Sequence, residues 1–377
     1  MSINITKYNI ICNIGKNIDE VYEKAIEGDT SCFDYADGFI KNKKVRVGKI
    51  KTELFPIDDE KYDLRCNKMI LKCLESFDLN SLFTKYGREN IAVVVATTNT
   101  GVEEFDSTQD FNHSKLSNPA EFVKNYYKLN NFYTSISTAC SSGIKAFSLA
   151  RNLLNSNYAK SVIVIGIDSL TKVPIFGFDS LGVLSPTPTI PFSKNRTGIN
   201  IGEGVGCFIL EKDIPHSIEV AGIGETTDVY HMTTPDENGV EAINSIKKAL
   251  EEALLKPLDI DYINLHGTGT IANDLMEAKA INVVFGTNVL SSSTKPLTGH
   301  CLGAAAVIEI ALCCKLLDKQ ENRVYPHIYD NKYDESISKI KLATKKDTVK
   351  KLENCLCTSF GFGGTNTSII LKRGNNE

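Results

Sequence analysis

The stretch Thr138–Leu154, TACSSGIKAFSLARNLL, lies between two runs rich in β-branched and aromatic residues, Phe132–Ile136 and Ser161–Ile167. Ile144, Phe147, Ala150 and Leu154 recur at helical spacing, so a strand, a turn of small residues, a helix with one apolar stripe and a second strand follow in order. That is the βαβ unit of an α/β fold. The alternation continues outward on both sides, with further strands expected at Ile91–Ala96, Gly206–Glu211, Ile218–Ile223, Tyr262–Leu265, Leu356–Phe360 and Thr367–Lys372. Val240–Leu255 places Ile243, Ile246, Leu250 and Ala253 on one stripe of a surface helix, whereas Gly303–Leu317 is apolar nearly all round and reads as a central buried helix. The pattern predicts an α/β chain with a mostly parallel sheet. A finished strand, the connection EKDIPHS at Glu211–Ser217 and a new strand divide the chain into residues 1–214 and 215–377, with no repeat of the residues themselves.

A chain of 377 residues, 42% hydrophobic and 23% charged, has the material for a large core, which excludes a small module and global disorder. Its net charge of -4 supplies no positive field for a phosphate backbone, so nucleic acid is not an expected partner. No apolar run approaches the ~18 residues of a spanning helix, and the N-terminus lacks the order of a secretory signal; no membrane span and a cytoplasmic location are expected. The eleven cysteines are odd in number and irregularly spaced, and neither Cys313-Cys314 nor Cys355-x-Cys357 has the paired C-x₂-C spacing of a zinc site. Most are expected to be packing residues, with no metal site. The basic run Lys41–Lys51 reads as a solvated strand edge or hairpin.

Four segments carry chemistry. Cys140 precedes the helix of the opening stretch, where unpaired N–H groups and the positive dipole end are expected to lower a thiol's pKa. Taken alone, the motif leaves a nucleophile and one more buried cysteine equally open. In Asp261–Thr270 a strand delivers His266 to its C-terminal end, where ligands gather in open α/β sheets, and Thr268 and Thr270 offer hydroxyls beyond it. In Ser291–His300 the chain leads straight into the buried helix, which places His300 at a helix N-terminus and favours neutral imidazole. Glu309, on that apolar helix, needs a partner; Lys295 is the nearest cation in sequence, and the pair reads as a structural ion bridge. Finally, Gly361, Gly363 and Gly364 in Thr358–Asn366 allow close backbone approach between two strands.

In this order the segments resemble the β-ketoacyl-acyl-carrier-protein synthases of the I/II type. The resemblance covers nearly the whole chain, through STACSSG, GFDSLGVLSPT, PFSKNRTGINIGEGVG, TTDVYHMTTP, YINLHGTGTIANDLMEAKAI, SSTKPLTGHCLGAAAVIE and SFGFGGTN, and is weakest in the N-terminal part. Where the housekeeping enzymes read RPFDxxRDGF, this chain has IPFSKNRTGI from Ile190 to Ile199. There, and in YGRENIAVVVATTNTGVEEF, it is similar to the stand-alone ketosynthases of aryl-polyene and related specialised clusters.

The resemblance implies a thiolase-like fold, two duplicated βαβαβαββ halves in five layers. It implies an acyltransferase that condenses malonyl-acyl-carrier protein, with decarboxylation, onto an acyl chain held by Cys140, in fatty-acid or polyene and polyketide elongation. The implied catalytic set is Cys140, His266, His300 and Lys295, with the N–H groups of Cys140 and Phe362 as the oxyanion hole and Phe362 as a gate. Thr268 and Thr270 would hold the phosphopantetheine arm, and Asp274 and Glu277 would be structural groups near Lys295. No cofactor is implied beyond the carrier's phosphopantetheine. The implied partners are acyl carrier protein and a second subunit, either another copy of the chain or a chain-length-factor-like protein. The alternative, that the chain is itself a non-catalytic chain-length factor, is disfavoured because such subunits typically lack the cysteine. The TGH motif at His300 argues against ketosynthase III and thiolase-type centres.

Overall fold

The computed structural model describes residues 2–215 and 217–374; Met1 and residues 375–377, the outer ends of the two expected halves, and His216 within the Glu211–Ser217 connection lie outside the described residues. Ten strands form one sheet: β1 (Ile3–Cys12), β2 (Ile91–Ala96), β3 (Tyr133–Ile136), β4 (Ser161–Asp168), β5 (Gly204–Lys212), β6 (Ile218–Thr227), β7 (Tyr262–Asn264), β8 (Leu290–Ser292), β9 (Asn354–Gly361) and β10 (Thr365–Lys372). They lie in the order β8-β7-β9-β10-β6-β1-β5-β4-β2-β3. Counted along the chain, the strands β1 to β5 and the strands β6 to β10 both run third, second, fourth, fifth, first, and the two sets join where β1 pairs with β6. One topology is present twice, although the residues do not repeat.

The expectation of a mostly parallel sheet is corrected. β2 is parallel to β3 and β4, and β7 to β8 and β9. However, β5 is antiparallel to β1 and β4, and β10 is antiparallel to β6 and β9. The cause is the fifth strand of each set, which folds back between the fourth and the first; β10 does so through a tight turn directly after Gly361.

Strand alternation sorts the side chains into three apolar layers around the sheet, whose helices include α1 (Ser142–Asn155), α2 (Val240–Glu252), α3 (Ile271–Phe285) and α4 (Ala305–Lys319). Ile91, Val93 and Val95 of β2 and Ile163 and Ile165 of β4 face the outer helices Arg65–Leu74 and Asn118–Tyr126. Ala92, Val94, Val162 and Val164 face the other way, onto α1 and α4. In the second set Ile263, Leu356 and Ile370 pack with α2 and α3, while Tyr262, Cys355, Ile369 and Leu371 join the layer of α1 and α4. Helix, sheet, helix, sheet, helix is the five-layered thiolase-like arrangement, with α1 and α4 in the middle. Because β2 and β4 are covered on both faces, their sequences are continuous apolar runs instead of alternating ones.

β1 is absent from the sequence reading because Asn4, Lys7 and Asn9 interrupt its isoleucines. The buried Asn9 is satisfied within the fold, its Nδ2 donating to Ser76 Oγ (3.0 Å) and its Oδ1 accepting from Ile18 N–H (2.9 Å). The basic run Lys41–Lys51 contains the second strand of a hairpin, Asp34–Ile40 with Lys43–Gly48, as expected. All eleven cysteines are unpaired thiols. Among the described residues, no helix is long and apolar enough to cross a membrane.

The close fit of α2 on β6 gives a stability test. A Cβ at Gly224 would lie 1.8 Å from the Ser245 carbonyl oxygen, so Gly224→Ala must push the helix off the strand. We expect a loss of about 3 kcal/mol in urea unfolding, the upper end of the usual overpacking range. Gly177→Ala, in the helix Lys172–Ser180 with nothing within 4 Å of the new Cβ, should instead gain about 0.5–1 kcal/mol.

Candidate active site

The turn after β3 carries Cys140 to the floor of a cavity of about 410 Å³ whose walls include the segments 181–183, 228, 231–235 and 270–273. α1 begins only at Ser142 with Ser141 as its cap, so Cys140 stands just outside the first helical turn. The expected lowering of its pKa is not found. Burial pushes the thiol up to about 11; the charge of Lys295 and the N–H groups of Phe362 and Cys140 itself pull it back, and Glu309 opposes them.

His300 Nε2 lies 3.0 Å from Cys140 Sγ. Its Nδ1 accepts the Leu302 N–H (3.2 Å), so in the neutral ring the hydrogen sits on Nε2 and is donated to the sulfur. His300 does not open the central helix as expected. It follows the short helix Lys295–Thr298, is held by pairing with Ile201, and stands two residues ahead of a 3-10 turn, Leu302–Ala304, that leads into α4. The ring is neutral, as expected, for a different reason: burial first and the charge of Lys295 second hold its pKa well below the ordinary value.

His266, placed at the end of β7, meets His300 edge to face with ring centres 5.5 Å apart. The Lys295 ammonium donates to Glu309 Oε1 (2.5 Å), to the His266 carbonyl (2.5 Å) and to His266 Nδ1 (3.3 Å), using its three N–H bonds on three acceptors. Lys295 is therefore more than half of an ion bridge: it fixes the His266 tautomer and turns Nε2–H into the cavity. Burial, Lys295 and His300 together hold the His266 imidazole well below its usual pKa.

Thr268 and Thr270 both line the cavity, and Thr270 also caps α3 by accepting the Asn273 N–H. Glu277 Oε1 accepts the His266 N–H (2.7 Å) and Oε2 the Gly267 N–H (2.6 Å), so this carboxylate fixes the turn that carries the histidine. Asp274 is not a partner of Lys295. It accepts the N–H groups of Phe192 and Gly269, and its cation is Arg196, 3.5 Å away. The turn after β9 needs its glycines for separate reasons. A Cβ at Gly361 would approach the Thr138 carbonyl to 3.0 Å, one at Gly364 would meet the Asp228 carbonyl at 2.1 Å, and Gly363 has φ +87°. Phe362, between them, is 37% exposed at the cavity wall.

Cys140 Sγ and a ring nitrogen from each of His266 and His300 lie within 4.8 Å of one another, close enough for a metal ion. Because Nδ1 of each ring is already an acceptor, both Nε2 atoms present hydrogens to the centre. That arrangement suits an anionic oxygen and opposes a cation. Phe178, within the GFDSLGVLSPT segment but not singled out there, packs at a tilt near both Phe362 (5.6 Å) and His300 (6.4 Å). The donor that fixes the His300 tautomer has no signal in the sequence, since it is a backbone amide that any residue at position 302 other than proline would supply.

A five-layered thiolase-like fold with a buried Cys-His-His centre defines the class. The chain belongs to the β-ketoacyl synthase family: the family models for the N-terminal and C-terminal domains match residues 88–215 and 218–328. It is 33% identical over 265 residues to 3-oxoacyl-[acyl-carrier-protein] synthase 2 of Coxiella burnetii, covering 66% of this chain and 63% of that protein. It is 34% identical over 251 residues to nodulation protein E of Rhizobium leguminosarum bv. trifolii, covering 63% of this chain and 61% of that protein. The chain thus spans less than two thirds of the length of the curated relatives it matches. Among solved structures, it superposes with TM-score 0.93 and 32% identity on a chain of the complex between the ketosynthase ApeO and its chain length factor ApeC from Xenorhabdus doucetiae, covering 99% of this chain and 98% of that one.

The Lys295 arrangement is testable. In the native protein, both imidazoles should remain neutral with the hydrogen on Nε2 from pH 8 down to 6.5 in ¹⁵N NMR; a midpoint at or above 6.5 for either ring would contradict the assignment. Removing the neighbouring positive charge in Lys295→Met should raise both ring pKa values. It should also strand Glu309 and cost about 3–5 kcal/mol in unfolding free energy.

Proposed function

We propose that the chain catalyses decarboxylative Claisen condensation of malonyl-acyl-carrier protein with an acyl group carried on Cys140, giving a β-ketoacyl-carrier protein. The observation that carries this reading is the convergence of one thiol, two imidazole Nε2–H groups and two backbone N–H groups on one cavity floor. In the first half-reaction the Cys140 sulfur attacks the thioester carbonyl of an acyl-carrier protein. The bond from that carbon to the phosphopantetheine sulfur breaks, and the departing thiolate takes the proton given up by Cys140. The N–H groups of Cys140 and Phe362 hold the oxyanion, a contribution of about 3–4 kcal/mol per donor in other acyl transfers.

Malonyl-carrier protein then replaces the first carrier, its arm passing Thr268 and Thr270. The bond between its C2 and carboxylate breaks, carbon dioxide leaves, and the electron pair becomes an enolate whose oxygen accepts from Nε2–H of His266 and His300. C2 attacks the acyl carbonyl, the bond to Cys140 breaks, and the sulfur takes up a proton. Neutral rings fit this step, since each keeps the hydrogen it donates. The chemistry needs no cofactor beyond the carrier's phosphopantetheine. Phe362 and its glycines would gate the cavity.

The proposed partners are acyl carrier protein and a second subunit, a copy of this chain or a chain-length-factor-like protein. The sheet ends on β3, and Phe132 and Tyr133 are exposed along it, which supports a second subunit there. The unpaired cysteines support a cytoplasmic setting. The presence of Cys140, His266 and His300 together disfavours a non-catalytic role for the chain itself.

Incubation with octanoyl-carrier protein should add one octanoyl mass to the wild type and none to Cys140→Ala; an unmodified wild type would sink the proposal. His266→Ala should still take the acyl group but release carbon dioxide from malonyl-carrier protein about 10²–10³-fold more slowly, the usual effect of losing one oxyanion donor. His300→Ala should slow both steps, because its Nε2–H also faces the sulfur.

A further inference from the structure

The backbone that presents Cys140 is strained, and two hydroxyls that the condensing reading does not use hold it in place. Ala139 has φ +52°, in the left-handed region that a residue with a Cβ rarely adopts. Ser142 Oγ donates to the Ala139 carbonyl (2.6 Å) and accepts the Thr138 N–H (2.8 Å). The Ala139 carbonyl and the Cys140 N–H belong to one planar peptide unit and point in opposite directions. A bond that fixes the carbonyl therefore aims the N–H that faces the sulfur.

The second hydroxyl comes from the other half of the molecule. Ser359 Oγ, on β9, donates to the Cys140 carbonyl (2.8 Å), and the Ser359 carbonyl in turn accepts from Thr367 Oγ1 on β10 (2.9 Å). Three residues after Ser359 comes Phe362, whose N–H is the other group directed at the sulfur. Ser142, Ser359 and Thr367 are all fully buried, so no water competes for these bonds. One of the two amides around the sulfur comes from each half. Their separation depends on a contact that crosses between the halves, and Ser359 supplies one directly at the nucleophile.

We propose that Ser142 and Ser359 are positioning residues for acyl transfer: Ser142 aims the Cys140 N–H, and Ser359 fixes that peptide against the strand that carries the Phe362 N–H. The claim rests on the condensing reading above. It separates the two half-reactions, because thioester attack relies on these amides whereas decarboxylation relies on the imidazoles.

The test compares wild type, Ser142→Ala, Ser359→Ala and the double variant in two assays, the rate of octanoyl transfer from octanoyl-carrier protein to Cys140 and carbon dioxide release from malonyl-carrier protein. Each single variant should acylate about tenfold or more slowly, with KM for the octanoyl carrier within about twofold of wild type and a much smaller fall in carbon dioxide release. The double variant should lose less than the product of the single losses, since both hydroxyls act on the same pair of donors. Acylation within about twofold of wild type in both single variants, or equal losses in the two assays alongside a lowered unfolding temperature, would overturn the positioning role. A wild type that takes no acyl group fails the condensing reading itself and is told apart by its own lane in the same assay.

Discussion

The buried ammonium of Lys295 is the constraint on which the site depends. Taking a charge out of water is expensive, and this one is matched by a carboxylate on the central helix, a carbonyl and a ring nitrogen of His266. Its field reaches every reactive group. It lowers the pKa of both imidazoles, so that they are hydrogen-bond donors without being acids, and it offsets part of the burial that keeps Cys140 a thiol. That pairing in turn accounts for Glu309, the one charged residue buried in the middle of α4, whose first ten residues lie wholly within the apolar layer.

That helix can reach the active site because the strands and helix beside it are cut away. Gly143 of α1, Gly166 of β4 and Gly206 of β5 all face Val307, and a Cβ at any of them would lie 3.0 Å or less from it or its neighbour. Of the glycines of Ile201–Gly206, which match no nucleotide-binding fingerprint, Gly204 and Gly206 serve this packing against Ile308 and Val307, while Gly202 makes room for the Thr298 carbonyl. The duplicated topology then acquires a functional meaning. Cys140 follows the third strand of one half, His266 the second strand of the other, and His300 and Phe362 lie beyond the third and fourth strands of that other half. These candidate site residues meet where the two copies face one another, so neither half holds the whole set.

The strands covered on both faces, β2 and β4, were legible as apolar runs, and α1 was legible from its stripe, since Ile144, Phe147, Ala150 and Leu154 are all buried. β1 was not, because buried asparagines whose hydrogen-bond partners lie far along the chain look like surface residues in a sequence. The antiparallel placement of β5 and β10 was not legible from periodicity either, which reports which face of a strand is buried and not its direction. Of the site, the residue types and their motifs could be read. Their electrostatics could not: the thiol at an apparent helix start is raised instead of lowered, and the His300 pKa is held down by burial first and the charge of Lys295 second.

The sequence by itself determined the α/β class, the family and the identity of Cys140, His266 and His300, because local pattern and motif spacing are properties of neighbouring residues. Tertiary structure alone decided which nitrogen of each ring carries the hydrogen, that Asp274 pairs with Arg196, and that Ser359 reaches the Cys140 carbonyl across 219 residues. Those outcomes are set by distances between groups far apart in the chain and by the exclusion of water around them. Neither exists until the two halves have closed on the central helices.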